Sequence, residues 1–233
     1  MQEFTNLILF PQFFNFKENS KFEIQILFQY NHINLLLLII KMNKNDSQIT
    51  SETQPQLNDN WKLYFYKSDR TRSWDESFMM ISEINTIESF WQTMHHLRLP
   101  SKLEWNCDYY FFRSHIEPKW EDKHNVNGGK WIISINKINR VSQTNQPWFE
   151  LLMLMIGEKF GMDSNDICGS IVSIRNQYDK VILWTKNDKN IESIKRIGAT
   201  LKSTLNLNFE IEYHSHKTNK LRSTCIVQAM LKQ

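Results

Sequence analysis

Acidic and imidazole side chains are the groups in this sequence that could act in catalysis or bind a metal. Glu121 and Asp122 form an acidic pair in a loop, and His214 and His216 would share one face of a strand. A metal site needs further ligands beside two histidines, and a catalytic carboxylate needs a partner base. The sequence has no glycine-rich phosphate loop and no GxSxG, HExxH or CxxC motif. We therefore expect a protein that is not an enzyme and has no catalytic residues, metal site or cofactor.

Aromatic and basic residues are distributed in a way that favours binding. Eight Trp, seven Tyr and fifteen Phe exceed what one small core needs, which raises the odds of an aromatic binding surface. The net charge is only +3, but residues 170–233 hold 11 Lys and Arg against 5 Asp and Glu. A basic C-terminal quarter on a near-neutral chain favours a local site for an anion over a general nucleic-acid-coating surface.

The N-terminal segment differs from the rest of the chain. Residues 1–56 combine interrupted apolar runs with a polar stretch from 44 to 60, and we expect a disordered or artefactual extension ahead of a domain over 57–233. The apolar run at 35–40 is too short to span a bilayer, so no membrane association is expected. Three widely spaced cysteines fit ordinary buried thiols in a reducing compartment.

The hydrophobic pattern predicts alternating strands and helices without a βαβ rhythm. Strands are predicted at 61–67, 78–84, 109–113, 131–136, 170–175, 180–186, 208–214 and 222–228. Helices are predicted at 86–97, with Asn85 and Glu88 as a capping box, at 147–160, opened by Pro147, and at 188–205. This order predicts an α+β fold, a single curved antiparallel sheet of about eight strands with three helices packed on its convex face.

One loop has a rare combination of residues. Segment 116–122 is Ile-Glu-Pro-Lys-Trp-Glu-Asp, and Gly-Gly-Lys-Trp follows at 128–131. Here the chain resembles the initiation factor 4E family of mRNA cap-binding proteins. The resemblance extends in one order over roughly 57–228, through Trp61, Ser73-Trp74, Phe90-Trp91, Ile156-Gly157-Glu158, Asp166-x-Cys168-Gly169, Asp179-Lys180 and Trp184.

The resemblance implies a site for the 7-methylguanosine cap. Trp74 and Trp120 would stack on the two faces of the base, Glu121 would accept its N1–H and N2–H, and Trp184 would contact the N7 methyl group. Stacking contributes about 1–3 kcal/mol per base. Cation–π attraction to the positively charged methylated base could add about 2 kcal/mol when desolvated.

By the same resemblance, cations would bind the cap phosphates. Arg175 and Lys180 match the family's phosphate-binding pair and lie in the basic C-terminal quarter. Lys130 stands where many family members have arginine, so it keeps the charge but loses the bidentate guanidinium.

The resemblance also implies a surface for a partner peptide. Family members bind a helical Tyr-x-x-x-x-Leu-hydrophobic segment on their helical face, and the matching residues here are Ile87, Trp91, Phe149 and Glu150. The family's His-Pro-Leu element before the first strand is altered, because Pro55-Gln56-Leu57 keeps only the leucine.

The resulting hypothesis is a monomeric cap-binding protein of the cytoplasm, with the nucleus as a second compartment, that recruits a scaffold initiation factor to start translation. A tryptophan at position 74 favours initiation, since repressor-type relatives often carry another aromatic there. A divergent paralogue that represses translation or stores mRNA is one alternative. A cap-processing hydrolase and an interaction module that has lost cap binding are the others.

Overall fold

One antiparallel sheet organises the residues that the computed structural model describes, which are 56–69, 71–136, 140–205 (without the side chains of 140–143) and 211–217. Within them, seven strands follow the spatial order β2-β1-β3-β5-β6-β4-β7. The strands are β1 (Gln56–Lys67), β2 (Phe78–Thr86), β3 (Cys107–Arg113), β4 (Gly129–Asn136), β5 (Ile167–Ile174), β6 (Tyr178–Thr185) and β7 (Ile211–Ser215). The helices α1 (Ile87–His96), α2 (Arg140–Ile156) and α3 (Ile191–Thr204) lie between them in the chain.

The two faces of the sheet differ in what covers them. In β1 the side chains of Trp61 and Leu63 are buried, while Lys62 and Tyr64, which alternate with them, are half-buried. Successive side chains of a strand point to opposite faces, so one face packs on the helices and the other is more accessible. The face that carries Lys62 and Tyr64 is the open face.

All three helices pack on the face opposite the open one. Phe90 of α1 meets Phe111 of β3 edge-on at 6.3 Å between ring centroids. Trp148 of α2 stacks on Tyr109 of β3 at 5.6 Å.

The third helix approaches the sheet closely at Gly198. A Cβ atom at this position would lie 2.4 Å from Cζ2 of Trp131 in β4, so only glycine permits this contact. With α3 on the same face as α1 and α2, the predicted α+β fold is confirmed.

Two helix boundaries differ from the prediction. The capping box of α1 is Thr86 with Ser89, whose side chains and backbone N–H groups bond reciprocally, and not Asn85 with Glu88. Helix α2 begins at Arg140 and carries Pro147 in its interior. Burial of the following residues Trp148, Leu151 and Leu152 offsets the hydrogen bond that proline cannot make.

Helix α2 also ends earlier than predicted. Its last residue is Ile156, and Glu158 then adopts a left-handed backbone with φ of 51°, which stops the helix before Phe160.

The other predicted elements are found within five residues of their expected bounds, where the structure describes them. The predicted strand at 222–228 lies outside the described residues, as does the extension over 1–56 apart from Gln56. In the described part of the chain, no helix is both long and apolar enough to cross a bilayer.

Candidate functional site

Rows of directly paired residues cross the open face and bring distant parts of the chain together. One row runs from Lys62 through Phe112 and Gly169 to Trp184 and Lys130. A parallel row joins Tyr66, Asp108, Ser173, Lys180 and Ser134. Residues in one row share a face, and neighbouring strands lie about 4.8 Å apart. The predicted residues Trp184, Lys130 and Lys180 therefore all lie on the open face.

Trp74 lies in the loop between β1 and β2, at the start of a single 3-10 turn. Its indole stacks on Phe78 at 4.4 Å between centroids and on Tyr66 at 6.0 Å, so the start of β2 and the end of β1 position it. The carboxylate of Glu76 accepts hydrogen bonds from the N–H and Oγ of Ser73, which fixes the approach of the chain to Trp74. These bonds hold the pKa of Glu76 below its usual range.

Trp120 and Glu121 are exposed at the tip of the loop between β3 and β4, where Trp120 keeps 57% of its surface accessible. The loop is held in shape by the side chains of Asp122 and Asn125. The carboxylate of Asp122 accepts the backbone N–H groups of Glu117 at 3.1 Å and His124 at 2.7 Å. Of the acidic pair, Asp122 thus shapes the loop and Glu121 is left accessible.

Asn125 completes this loop from inside. It is fully buried, and its amide donates to the carbonyls of Glu117 at 2.9 Å and Lys119 at 2.8 Å. An Asx side chain that bonds to nearby backbone in this way fixes a turn without regular secondary structure. Trp120 and Glu121 therefore stand on a loop whose backbone is held by hydrogen bonds with the side chains of Asp122 and Asn125.

Lys119 joins the two loops that carry the tryptophans. Its Nζ lies 5.2 Å from the centroid of the Trp74 ring and 2.8 Å from Oδ1 of Asp75. A cleft of about 480 Å³ lies between the loops, and its lining residues include Tyr64, Trp74, Phe78, Glu117 and Lys119. The tertiary structure thus brings the segments around Trp74 and Trp120 to one aromatic cleft beside the open face.

Trp184 lies deeper than Trp74 and Trp120. It is 8% exposed and belongs to an apolar cluster on the open face with Phe112, Ile171 and Ile182. Phe112 meets it edge-on at 5.5 Å, and the ring of His216 lies 4.3 Å away. Burial, with a smaller effect from the charge of Lys130, lowers the pKa of His216 from 6.5 to about 4.

The basic residues differ in how they are held. Arg175 makes a two-point ion pair with the buried carboxylate of Asp108, while Lys180 is half-buried in β6. Burial, with a smaller effect from the charge of Lys180, lowers the pKa of Lys130. On the open face, Lys130 is the cross-strand neighbour of Trp184. Lys180 lies further along β6, and Arg175 lies just past the end of β5, where Asp108 balances its charge.

Comparison with known proteins places this arrangement in a family. The family model described as Eukaryotic initiation factor 4E matches residues 56–228, well over half of the chain. The chain belongs to the eukaryotic initiation factor 4E family.

Two relatives illustrate the similarity in sequence. Eukaryotic translation initiation factor 4E of Homo sapiens is 38% identical over 169 residues, which cover 72% of this chain and 78% of the relative. Initiation factor 4E-1B of Danio rerio is 39% identical over 174 residues, which cover 74% and 81%.

Solved structures of the family share the fold. The structure of Ascaris suum eIF4E-3 in complex with an m2,2,7G cap aligns with a TM-score of 0.70 at 36% identity, over 72% of this chain and 95% of that one. The schistosome eIF4E bound to m7GpppA and 4E-BP aligns with a TM-score of 0.67 at 32% identity, over 74% and 95%.

The residues that resemble the family's partner surface lie on the face opposite the cap-site candidates. Trp91 of α1 packs against Phe90 at 5.2 Å and against Phe149 of α2 at 5.8 Å, so the two helices present adjoining side chains. Ile87 and Glu150 are half-buried on the same helices, and burial raises the pKa of the Glu150 carboxyl. Gln146 donates to that carboxylate at 2.8 Å.

The described residues contain no group of three or more His, Cys, Asp or Glu side chains able to hold a metal ion. His214 is bonded to Glu212 at 2.9 Å, and His216 lies against Trp184. His214 and His216 thus have different partners and do not contact a common group. Cys107 and Cys168 are buried free thiols, and burial raises the pKa of Cys168 to about 12.

Several residues that position the site were assigned no role in it from the sequence. Arg175 is held by Asp108 of β3, and Trp74 packs against Phe78 of β2 and Tyr66 of β1. Each supporting residue belongs to another element than the residue it holds. Asn125 carried a usable signal, because an Asx residue shortly before Gly128-Gly129 is typical of a structured turn.

Proposed function

We propose that this chain binds the 7-methylguanosine cap of mRNA, with the base stacked between Trp74 and Trp120. The observation that carries the proposal is the contact between the two loops. Trp120 is exposed, Trp74 is supported from below by Phe78, and the ring of Trp74 already attracts a cation, the ammonium of Lys119. An indole that binds an ammonium suits a base that carries a delocalised positive charge. Ascaris suum eIF4E-3, a solved relative, binds an m7G cap.

Base selectivity would come from Glu121. A carboxylate offers only acceptors, which complement the N1–H and N2–H donors of guanine and the positive charge of the methylated ring. Glu121 is exposed on a loop fixed by Asp122 and Asn125, so it can meet a base without rearranging its backbone. Trp184, held in the apolar cluster of the open face, would contact the N7 methyl group.

The phosphates would bind across the open face. Arg175 extends from the end of β5, and Lys180 lies in the same cross-strand row as Asp108, to which Arg175 is paired. Lys130 is partly desolvated and close enough to Lys180 for the two charges to interact, so a polyanion would relieve their repulsion.

The protein would act as a non-catalytic initiation factor in the cytoplasm, with the nucleus as a second compartment. It would recruit a scaffold, or be blocked by a repressor, through the surface of Ile87, Trp91, Phe149 and Glu150. A solved schistosome relative binds 4E-BP. Rescue of a translation defect by this chain would support the initiation role, whereas rescue of reporter repression alone would favour the repressor alternative.

The test of cap binding is quenching of tryptophan fluorescence by 7-methyl-GTP and by GTP. We expect saturable quenching with a strong preference for 7-methyl-GTP, and its loss in Trp120→Ala. Trp105→Ala is the matched control, because Trp105 is similarly exposed at 60% but lies outside the proposed site. Equal affinity for the two nucleotides, or unchanged binding in Trp120→Ala, would refute the proposal. Release of a cleaved product from capped RNA would refute the non-catalytic role.

A further inference from the structure

We infer that Lys119 is an internal competitor for the cap, occupying the face of Trp74 on which the base would stack. This inference rests on the proposed stacking role of Trp74. In the free protein Lys119 would cover the stacking face of Trp74. A nucleotide would have to displace Lys119 before it could bind, so Lys119 would lower the affinity for the nucleotide.

The geometry around Trp74 leaves limited room for a second group. Phe78 stacks on the indole at 4.4 Å between centroids with an interplanar angle of 23°, which covers one face of the ring. The Nζ of Lys119 lies over the ring at 5.2 Å from its centroid. A base can stack only where the indole face is clear, so the ammonium and the base would use the same space.

Two carboxylates hold the ammonium in this position. Its Nζ is 2.8 Å from Oδ1 of Asp75, the residue after Trp74, and 3.8 Å from Oε2 of Glu117. Asp75 belongs to the loop between β1 and β2 and Glu117 to the loop between β3 and β4, so Lys119 connects the two loops when no base is bound. The side chain of Lys119 is 36% exposed, and a long flexible chain can leave this position without moving the backbone that Asn125 fixes.

Competition of this kind has a specific thermodynamic consequence. Only the protein molecules in which Lys119 has left Trp74 can bind a base there. The apparent affinity of every ligand that stacks on this face of the indole is therefore reduced by the same factor. Lys119 would therefore lower the affinity for 7-methyl-GTP and for GTP equally, and it would leave the preference between them unchanged. A repulsion between Lys119 and the bound cationic base would lower only the affinity for 7-methyl-GTP.

The experiment compares Lys119→Met with the wild type in titrations with both nucleotides. Loss of an exposed cation–π contact predicts affinity about two- to fivefold higher in the variant, by the same factor for each nucleotide. Lys123→Met is the matched control, because Lys123 is an exposed lysine of the same loop, and its loss should leave both affinities unchanged beyond a general charge effect.

If the wild type prefers 7-methyl-GTP over GTP, any of three results would overturn the inference. These are unchanged or weaker binding by Lys119→Met, a gain confined to 7-methyl-GTP, and an equal gain in Lys123→Met. A wild type without preference would instead refute the proposed function itself and remove the basis for competition.

A second measurement follows the contact directly. The ring current of Trp74 should shift the ε-methylene protons of Lys119 upfield in the NMR spectrum of the free protein, and Trp74→Leu should abolish that shift. Saturation with 7-methyl-GTP should return these signals to the position of a solvated lysine. Signals that keep their upfield shift in the complex would show that Lys119 and the nucleotide do not compete.

Discussion

The guanidinium of Arg175 is bound at two points by the carboxylate of Asp108, with Nη1–Oδ1 at 2.5 Å and Nη2–Oδ2 at 2.8 Å. The Asp108 side chain is only 2% exposed, whereas that of Arg175 is 39% exposed. A buried anion therefore orients a cation at the surface. Since Arg175 is also a candidate phosphate ligand, its contributions to stability and to binding can be measured separately.

Substitution of Arg175 by alanine should lower both the free energy of unfolding and the affinity for 7-methyl-GTP. It leaves the carboxylate of Asp108 buried without its partner, which costs about 1–3 kcal/mol in the free energy of unfolding measured with urea. Adding Asp108→Asn should recover part of that loss, because the buried group is then uncharged, but it should not recover the affinity for 7-methyl-GTP.

Arg196→Ala is the control for the Arg175 experiment. Arg196 forms a similar two-point pair with Asp163, which is 6% exposed, but this pair lies on α3 and the segment before β5. We expect a comparable loss of stability with unchanged nucleotide affinity. If Arg175→Ala binds 7-methyl-GTP as tightly as Arg196→Ala does, Arg175 has no part in phosphate binding.

Lys180→Ala should weaken the binding of 7-methyl-GTP and flatten its dependence on salt. Each phosphate contact releases screening ions on binding, so losing one cation reduces the slope of log affinity against log salt. The measurement is a titration series from low to high KCl. Lys202→Ala, an exposed lysine near the end of α3, should retain the wild-type slope. An unchanged slope in Lys180→Ala would exclude it as a phosphate ligand.

His216 should make the folded state less stable in acid. Its pKa is held at about 4 in the folded protein, against 6.5 for a solvated histidine. Between these values the unfolded chain binds a proton that the folded chain does not, so stability from this source is complete above pH 6.5 and is lost as the pH falls towards 4. In His216→Gln, the drop in unfolding free energy from pH 7 to pH 4.5 should be smaller by on the order of 2 kcal/mol. Equal drops in wild type and variant would contradict the buried, neutral state of His216.

Trp91→Ala should weaken the binding of a Tyr-x-x-x-x-Leu-hydrophobic peptide by at least tenfold while leaving the affinity for 7-methyl-GTP unchanged. Large aromatic side chains at the centre of an interface often contribute 2 kcal/mol or more, about thirtyfold in affinity. Trp91 is half-buried against Phe149, and its helix lies on the face of the sheet opposite the cleft. Fluorescence anisotropy of a labelled peptide measures the effect, with the exposed neighbour Gln92→Ala as the control. Full peptide affinity in Trp91→Ala would place the partner surface elsewhere.

Much of the fold followed from local patterns in the sequence. Alternation in β1 and helical spacing in α1 and α3 predicted those elements, because burial on one face imposes a period of two on a strand and of about 3.6 on a helix. Pro147 misled the prediction for α2, since the preference of proline for the first turn is weaker than the packing of a whole helix against the sheet.

The candidate site residues were proposed from the sequence by two routes. The resemblance to the initiation factor 4E family implied roles for Trp74, Trp120 and Glu121, and the basic residues after position 170 favoured an anion site. That information is local, because the aromatic face, the carboxylate and the charge belong to each side chain wherever it lies.

Only the tertiary structure decided which of these groups meet and what holds them. Asp108 and Arg175 are 67 residues apart in the chain, and strand order alone places β3 beside β5 so that they can pair. Lys119 reaches Trp74 because two loops converge at one end of the sheet. Such contacts join residues that share no periodic relation in the sequence, so their partners depend on how the strands are ordered and where the loops meet.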